Sequence, residues 1–307
     1  MAETTKIAWC DATFNPWIGC AKVSPGCDNC YAERDFDHRK HVATWGPCEK
    51  RVRTSEANWK KPLAWNRKCE KEGRRKTVFS GSLCDVFDAE IPQQWRHDLF
   101  DLIAETPCLT WLLLTKRAHN MRLAMPLEPR KNVWISVTVC NQQEADENIP
   151  ILLRTPAVGR FISVEPMIAP VRLRTTCLPT KFWPPLFSKR NSGFHDSPGG
   201  GIHWVICGGE TGPNARPIHP HWIRSLRDQC LVSHLPFFFK QWGEFLPSTE
   251  AHKRGVIVGH QLHSFPWGQC QLQMARVGKE SAGDLFDGEQ YHEFPQGLKQ
   301  ESEVNND

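Results

Sequence analysis

The sequence predicts an α/β fold built on a parallel (β/α) barrel, complete or partly open. Two observations carry that reading: short apolar runs with strand character recur along the chain, and segments with helical periodicity or polar character separate them. The runs are "KIAW" from Lys6, "TVFSGSL" from Thr77, "CLTWLLLT" from Cys108, "NVWISVTV" from Asn132, "RFISVEP" from Arg160, "HWVICGGE" from His203 and "LPFFFKQWG" from Leu235. They are continuous rather than alternating, as strands covered on both faces require. Between them, "IPQQWRHDLFDLIAETP" puts Trp95, Leu99, Leu102 and Ile103 on one helical side behind Pro92, and "HPHWIRSLRDQCLVSH" spaces Trp222, Ile223, Leu226 and Cys230 in the same way.

These boundaries predict a barrel domain over residues 1–250, with a cysteine loop at 20–30 and an inserted loop at 178–203. The insertion, "LPTKFWPPLFSKRNSGFHDSPGGGIH", is rich in Pro, Gly and Ser. Residues 251–295 are expected to pack on the barrel as an extension, and 296–307 to form a flexible tail.

Composition narrows the class. With 307 residues, 40% hydrophobic and 23% charged, the chain has the makeup of a soluble globular protein. Its start, "MAETTKIAWC", has no basic region followed by an apolar run, and "WLLL" and "PFFF" are too short to cross a bilayer. A cytoplasmic protein with no membrane partner is expected. Thirteen cysteines in such a reducing compartment are expected to be thiols, so a tight group of them points to metal or cluster ligation rather than disulfides. The 13 tryptophans, against 2 tyrosines, read mostly as core and pocket walls.

Net charge is only +4 but unevenly spread: between Glu33 and Lys76, fourteen basic residues face seven acidic ones, interleaved with Trp45, Trp59 and Trp65. That mixture suits a surface that touches phosphate and bases, and equally a solvated helix face whose tryptophans point inward.

The chemistry concentrates in "NPWIGCAKVSPGCDNCYAERD", where Cys20, Cys27 and Cys30 are spaced C-x6-C-x2-C and Pro25-Gly26 turns the chain between the first two. The loop follows the first strand, at the carboxyl end of a parallel barrel where active sites are built. Three thiolates on a four-iron cluster leave one iron open for another ligand. A structural zinc site completed by Cys10 is the competing reading, although no second C-x2-C pair occurs in the chain.

Other candidates fall at predicted strand ends, where a barrel gathers side chains around one pocket. Asp85, Thr115, Lys116, Arg117, Glu165, Glu210, Lys240 and Gln241 are each at or just past the last apolar residue of a run. Trp242 follows Lys240 and Gln241 as a possible wall for a flat ring, and the Gly- and Pro-shaped "ETGPNARPIHP" places Arg216 where a loop could close over a ligand. His219 and His221, in "HPH", read mainly as capping residues.

The blocks "WCDATFNPWIGCAKVSPGCDNCYAER", "SGSLCDVF", "LLLTKR", "ISVTVCNQQEAD", "FISVEPM", "WVICGGETGPNARPIHPHWIRSLRDQC" and "PFFFKQWG" resemble the successive blocks of a phage and prophage protein family known for its three-cysteine motif. That family is in turn similar to radical S-adenosylmethionine enzymes, and "GCDNCYA" resembles the second half of their cluster loop. The usual loop there is C-x3-C-x2-C, three residues shorter between the first cysteines. Their Gly-Gly-Glu stretch lies on the second strand, whereas Gly208, Gly209 and Glu210 lie on a late one and the second strand offers Ser80, Ser82 and Asp85 instead.

The resemblance implies a radical-SAM-like barrel with a [4Fe-4S] cluster on Cys20, Cys27 and Cys30, and S-adenosylmethionine on the open iron. Ser80, Ser82, Asp85, Arg117, Glu210, Gln241 and Trp242 would then bind the cofactor, and Lys116, Glu165, Glu210 and Lys240 would serve catalysis. An electron donor is a necessary partner, and a nucleic acid or nucleotide is the expected substrate. The alternatives are a zinc-stabilised nucleic-acid-binding protein without catalysis and a metal-dependent barrel hydrolase.

Overall fold

The computed structural model describes residues 5–125, 128–173, 201–256, 261–267 and 270–298. Seven parallel strands form one sheet whose spatial order is their chain order: β1 (Ala12–Phe14), β2 (Lys76–Ser80), β3 (Leu109–Thr115), β4 (Val133–Thr138), β5 (Gly159–Val164), β6 (Trp204–Gly208) and β7 (Phe237–Gln241). The sheet curls into an open half-barrel. Residues 178–200 of the expected insertion and 299–307 of the expected tail lie outside the described residues.

Every residue of β2, β4, β5 and β6 is buried, so the continuous apolar runs do mark strands covered on both sides. The two faces bury different sets. Val78, Trp111, Leu113, Ile135, Val137, Ile162, Val164, Val205 and Phe239 face the helices, including α1 (Lys61–Lys71), α2 (Gln93–Ala104), α3 (Ala118–Ala124), α4 (Gln142–Arg154) and α5 (Pro220–Val232). The alternate residues Phe79, Leu112, Trp134, Phe161, Trp204 and Phe238 face the hollow of the curl. Register aligns them in rows, with Phe79 beside Leu112, Leu112 beside Trp134, and Phe161 beside Trp204.

The first strand is displaced from its expected place. "KIAW" is not a strand: Cys10 N donates to the Ile7 carbonyl at 3.4 Å in a turn, and the strand is the short Ala12–Phe14 that follows. Trp9 instead plugs the hollow, with ring centroids 4.6 Å from Phe79, 6.1 Å from Phe161 and 6.3 Å from Trp204. An aromatic ring gains more by filling that space than a three-residue ladder would return.

Helix starts follow local chemistry. Asn141 caps α4, its Oδ1 accepting from Glu144 N at 2.9 Å while Glu144 Oε2 accepts from Cys140 N at 2.7 Å. His219 caps α5 through Nδ1, which accepts from His221 N at 3.0 Å, and Pro220 occupies the first turn. Beyond β7 a three-stranded antiparallel sheet forms from β8 (Phe245–Pro247), β9 (Leu262–Trp267) and β10 (Cys270–Arg276). The chain then returns across the barrel: Phe239 N donates to the Tyr291 carbonyl at 2.7 Å, and Phe294 packs on Trp204 and Phe238. In the basic stretch, Trp65 is buried and Trp59 packs edge-on against Phe14, while Arg67, Lys68 and Lys71 stay exposed.

Candidate functional site

One cavity, of about 220 Å³, opens at the carboxyl ends of the strands. Cys20, Cys27 and Cys30 line it together with Ser82, Asp85, Thr115, Lys116, Arg117, Glu165, Glu210, Lys240 and Gln241. The curl of the sheet thus brings the strand-end residues to one place.

The cysteine loop is built by its own short-range bonds and then tied down from three sides. Ser24 Oγ accepts from Gly26 N at 3.0 Å and starts the tight turn Pro25–Cys27; Cys30 N donates to the Cys27 carbonyl at 3.2 Å and leads into a helical turn at Tyr31. Ser24 Oγ also donates to Glu144 Oε1 at 2.5 Å, anchoring the loop to α4. Tyr31 Oη donates to the Ser82 carbonyl at 2.7 Å, which ties it to the segment after β2. The third tie is Arg216, which donates to Asp28 Oδ2 at 3.0 Å and the Pro25 carbonyl at 2.8 Å.

Two of the carboxylates in the cavity are committed to this scaffold. Asp85 accepts from Thr115 Oγ1 at 2.7 Å, Phe87 N at 2.9 Å, Arg117 Nη1 at 3.1 Å and Lys116 N at 3.2 Å. Glu210 accepts from Arg216 at 2.6 and 2.9 Å, from the Arg216 backbone at 2.8 Å and from Asn29 Nδ2 at 2.9 Å. The third, Glu165, pairs with Lys240 at 3.0 Å.

The glycines before Glu210 serve close packing. A Cβ on Gly209 would stand 1.9 Å from the Trp242 carbonyl oxygen, and one on Gly243 would stand 2.1 Å from the Glu210 carbonyl oxygen. The ends of β6 and β7 touch backbone to backbone, which is what "GGE" permits.

Cations sit against the thiols. Arg117 Nη1 donates to Cys20 Sγ at 3.3 Å, and its Nη2 to the Ala21 carbonyl at 2.9 Å. Burial pushes the Cys20 thiol up to about 11, with Asp85 adding to the rise and Arg117 opposing it. Burial also raises Cys30. Burial alone would lower Lys116, but Cys140, Cys27, Cys30 and Asp85 outweigh it and the ammonium is held above its ordinary range.

Other expected residues lie elsewhere. Ser80 is fully buried and is not part of the cavity lining. Trp242 is packed in the core at 3% exposure, its Nε1 donating to the Leu285 carbonyl at 2.8 Å, so its ring borders Phe239 and Phe286 rather than the cavity. Cys10 packs beside Trp9 in the inner cluster, apart from the cavity lining. Asn29, Trp9 and Ser163 line the cavity without having stood out in the sequence. Asn29 had one signal, its place between Cys27 and Cys30.

Among the described residues, no three His, Cys, Asp or Glu side chains are grouped so as to hold a single metal ion. The three loop cysteines nonetheless share one cavity wall, with Lys116 in charge contact with Cys27 and Cys30 and Arg117 on Cys20. Ligands that each take a different iron of a cluster stand farther apart than ligands sharing one zinc. Arg117 and Lys116 oppose the rise that burial imposes on the Cys20 and Cys30 thiols. In kind, three thiols on one cavity wall, this donor set suits an iron–sulfur cluster.

Fold and site together define a parallel β/α half-barrel protein with a cysteine-lined cavity at the carboxyl ends of its strands. The chain belongs to the family described as "Protein of unknown function (DUF5131)", whose model matches residues 4–295. No curated protein matches the chain, and no solved structure does. Among the described residues no helix is long and apolar enough to cross a membrane.

Proposed function

We propose that this chain is an iron–sulfur enzyme of the radical S-adenosylmethionine type, with Cys20, Cys27 and Cys30 holding a [4Fe-4S] cluster that keeps one iron open. The observation that supports this most is that the three cysteines and two cations, Lys116 and Arg117, line one cavity at the carboxyl ends of parallel strands. When bound, the reduced cluster supplies the electron that cleaves S-adenosylmethionine at its sulfonium and starts hydrogen abstraction from a substrate.

The chain's own part is placement and charge. Lys116, among Cys27, Cys30 and Cys140, offsets thiolate charge and meets the cofactor's carboxylate. Arg117, fixed by Asp85, keeps Cys20 oriented. Arg216 and Asn29 hold the loop against Glu210, so the cysteines keep their spacing whether or not ligand is bound. An electron donor and a nucleic acid or nucleotide substrate complete the reading.

The test is product formation. Anaerobic protein given S-adenosylmethionine and dithionite yields 5′-deoxyadenosine, and Cys27→Ala protein yields none. Iron-loaded wild-type protein that forms no 5′-deoxyadenosine, with or without nucleotides added, would overturn the radical assignment.

A further inference from the structure

We propose that the part of the cavity where Glu165 and Lys240 stand side by side is a recognition pocket for a nucleobase whose edge carries an N–H donor next to an acceptor, as the edges of uracil, guanine and adenine do. As the place where the reaction's substrate sits, this rests on the reading above; as a binding site it does not.

Of the three carboxylates lining the cavity, Asp85 and Glu210 are saturated by donors that hold the cysteine loop. Among the described residues Glu165 has a single ion-pair partner, Lys240 at 3.0 Å, with the two side chains 14% and 25% exposed. A carboxylate with a second oxygen to offer and an ammonium with further N–H groups present an acceptor and a donor next to each other. The pair is neutral as a whole, so a charged ligand would have to break it, whereas a neutral ligand with a donor beside an acceptor satisfies both halves.

The surroundings select a flat ring. Trp9 and Phe79, with centroids 4.6 Å apart, and Leu114 form the apolar wall of the same cavity. Ser163, 1% exposed, lies on β5 two residues before Glu165, and among the described residues its Oγ has no hydrogen-bond partner; nor has Gln241 Oε1, next to Lys240 and 8% exposed. Buried polar atoms left unmatched cost stability unless a ligand uses them. Together these groups complement the polar edge of a base set against an aromatic wall.

The experiment measures binding of uridine and 3-methyluridine to the metal-free Cys27→Ala chain by titration calorimetry and saturation-transfer NMR. Uridine is expected to bind, with 3-methyluridine, which has lost the N–H donor, at least about tenfold weaker; loss of one charge-assisted hydrogen bond is enough for that ratio. Glu165→Gln and Lys240→Met are each expected to weaken binding about tenfold or more. Ser163→Ala is expected to weaken binding while leaving the thermal midpoint unchanged or higher, because it removes an unmatched hydroxyl. Absence of uridine binding at millimolar concentration overturns the proposal, as does equal binding of 3-methyluridine. So does binding that survives Glu165→Gln in a variant with native circular dichroism. Because the assay needs no cluster, its failure leaves the iron–sulfur reading standing, and failure of that reading leaves this test intact.

Discussion

Arg216 grips Glu210 through Nε and Nη2, at 2.9 and 2.6 Å, and with the same guanidinium holds Asp28 and the Pro25 carbonyl. One side chain therefore joins the end of β6 to the cysteine loop. Lysine carries the charge but not the fork, and cannot serve both ends. Arg216→Lys is expected to lower stability in urea by about 1–3 kcal/mol and to speed hydrogen exchange across residues 25–31. A change below about 0.5 kcal/mol with unaltered exchange would show that the loop stands without this tie.

The cysteine loop also leans on β4's exit. A Cβ on Gly26 would stand 2.2 Å from Cys140 Sγ, too close for any relaxed contact. Gly26→Ala is expected to cost about 1–3 kcal/mol by overpacking. Adding Cys140→Ala removes the sulfur atom, so the double variant recovers most of that loss and the cycle gives a coupling of about 1 kcal/mol or more. Independent, additive effects would place the two residues out of contact.

Acid sensitivity is expected from His203. Its Nδ1 accepts from Arg160 N at 3.2 Å, and burial, with Arg160 second, holds its pKa below the ordinary 6.5. The unfolded chain takes up that proton first, so the histidine's contribution is intact above about pH 6.5 and is lost as pH falls below it toward the folded value. Buried His219 adds a change of the same sign. Stability measured by urea unfolding is expected to drop between pH 7 and pH 5, with a shallower slope in His203→Asn. An unchanged slope in that variant would remove His203 from the account.

Asp85 and Glu165 should respond differently to loss of charge. Asp85, 5% exposed, anchors Thr115, Arg117 and two backbone amides, whereas among the described residues Glu165 has only Lys240. Asp85→Asn is expected to cost about 3–5 kcal/mol, the penalty for breaking a buried charged network. Glu165→Gln is expected to cost clearly less. Equal losses in thermal or urea unfolding would mean that the two carboxylates have the same structural weight.

The strands from β2 to β7 were legible because each is a continuous apolar run ending in a polar residue, and that same pattern located Asp85, Lys116, Glu165 and Lys240 at the cavity. The first strand was not: "KIAW" has strand composition, but Trp9 is worth more as a plug, and "ATF" is too short to register as a run. Trp242 was misplaced for a related reason. It follows the end of β7, and the backbone contact between Gly209 and Gly243 turns its ring toward Phe239 and Phe286. The clamp between Arg216 and Asp28 joins residues 188 positions apart, and no local periodicity encodes such a contact. Ser163 reads as one more strand residue until the curl of the sheet fixes which face is the hollow one.

Iron and sulfide analysis of anaerobically prepared protein addresses the three-thiolate claim most directly. The account predicts about four irons and four sulfides per chain, lost in Cys20→Ala, Cys27→Ala and Cys30→Ala and retained in Cys10→Ala. Stoichiometric zinc in place of iron, or full iron retention after any one of the three loop substitutions, would contradict it.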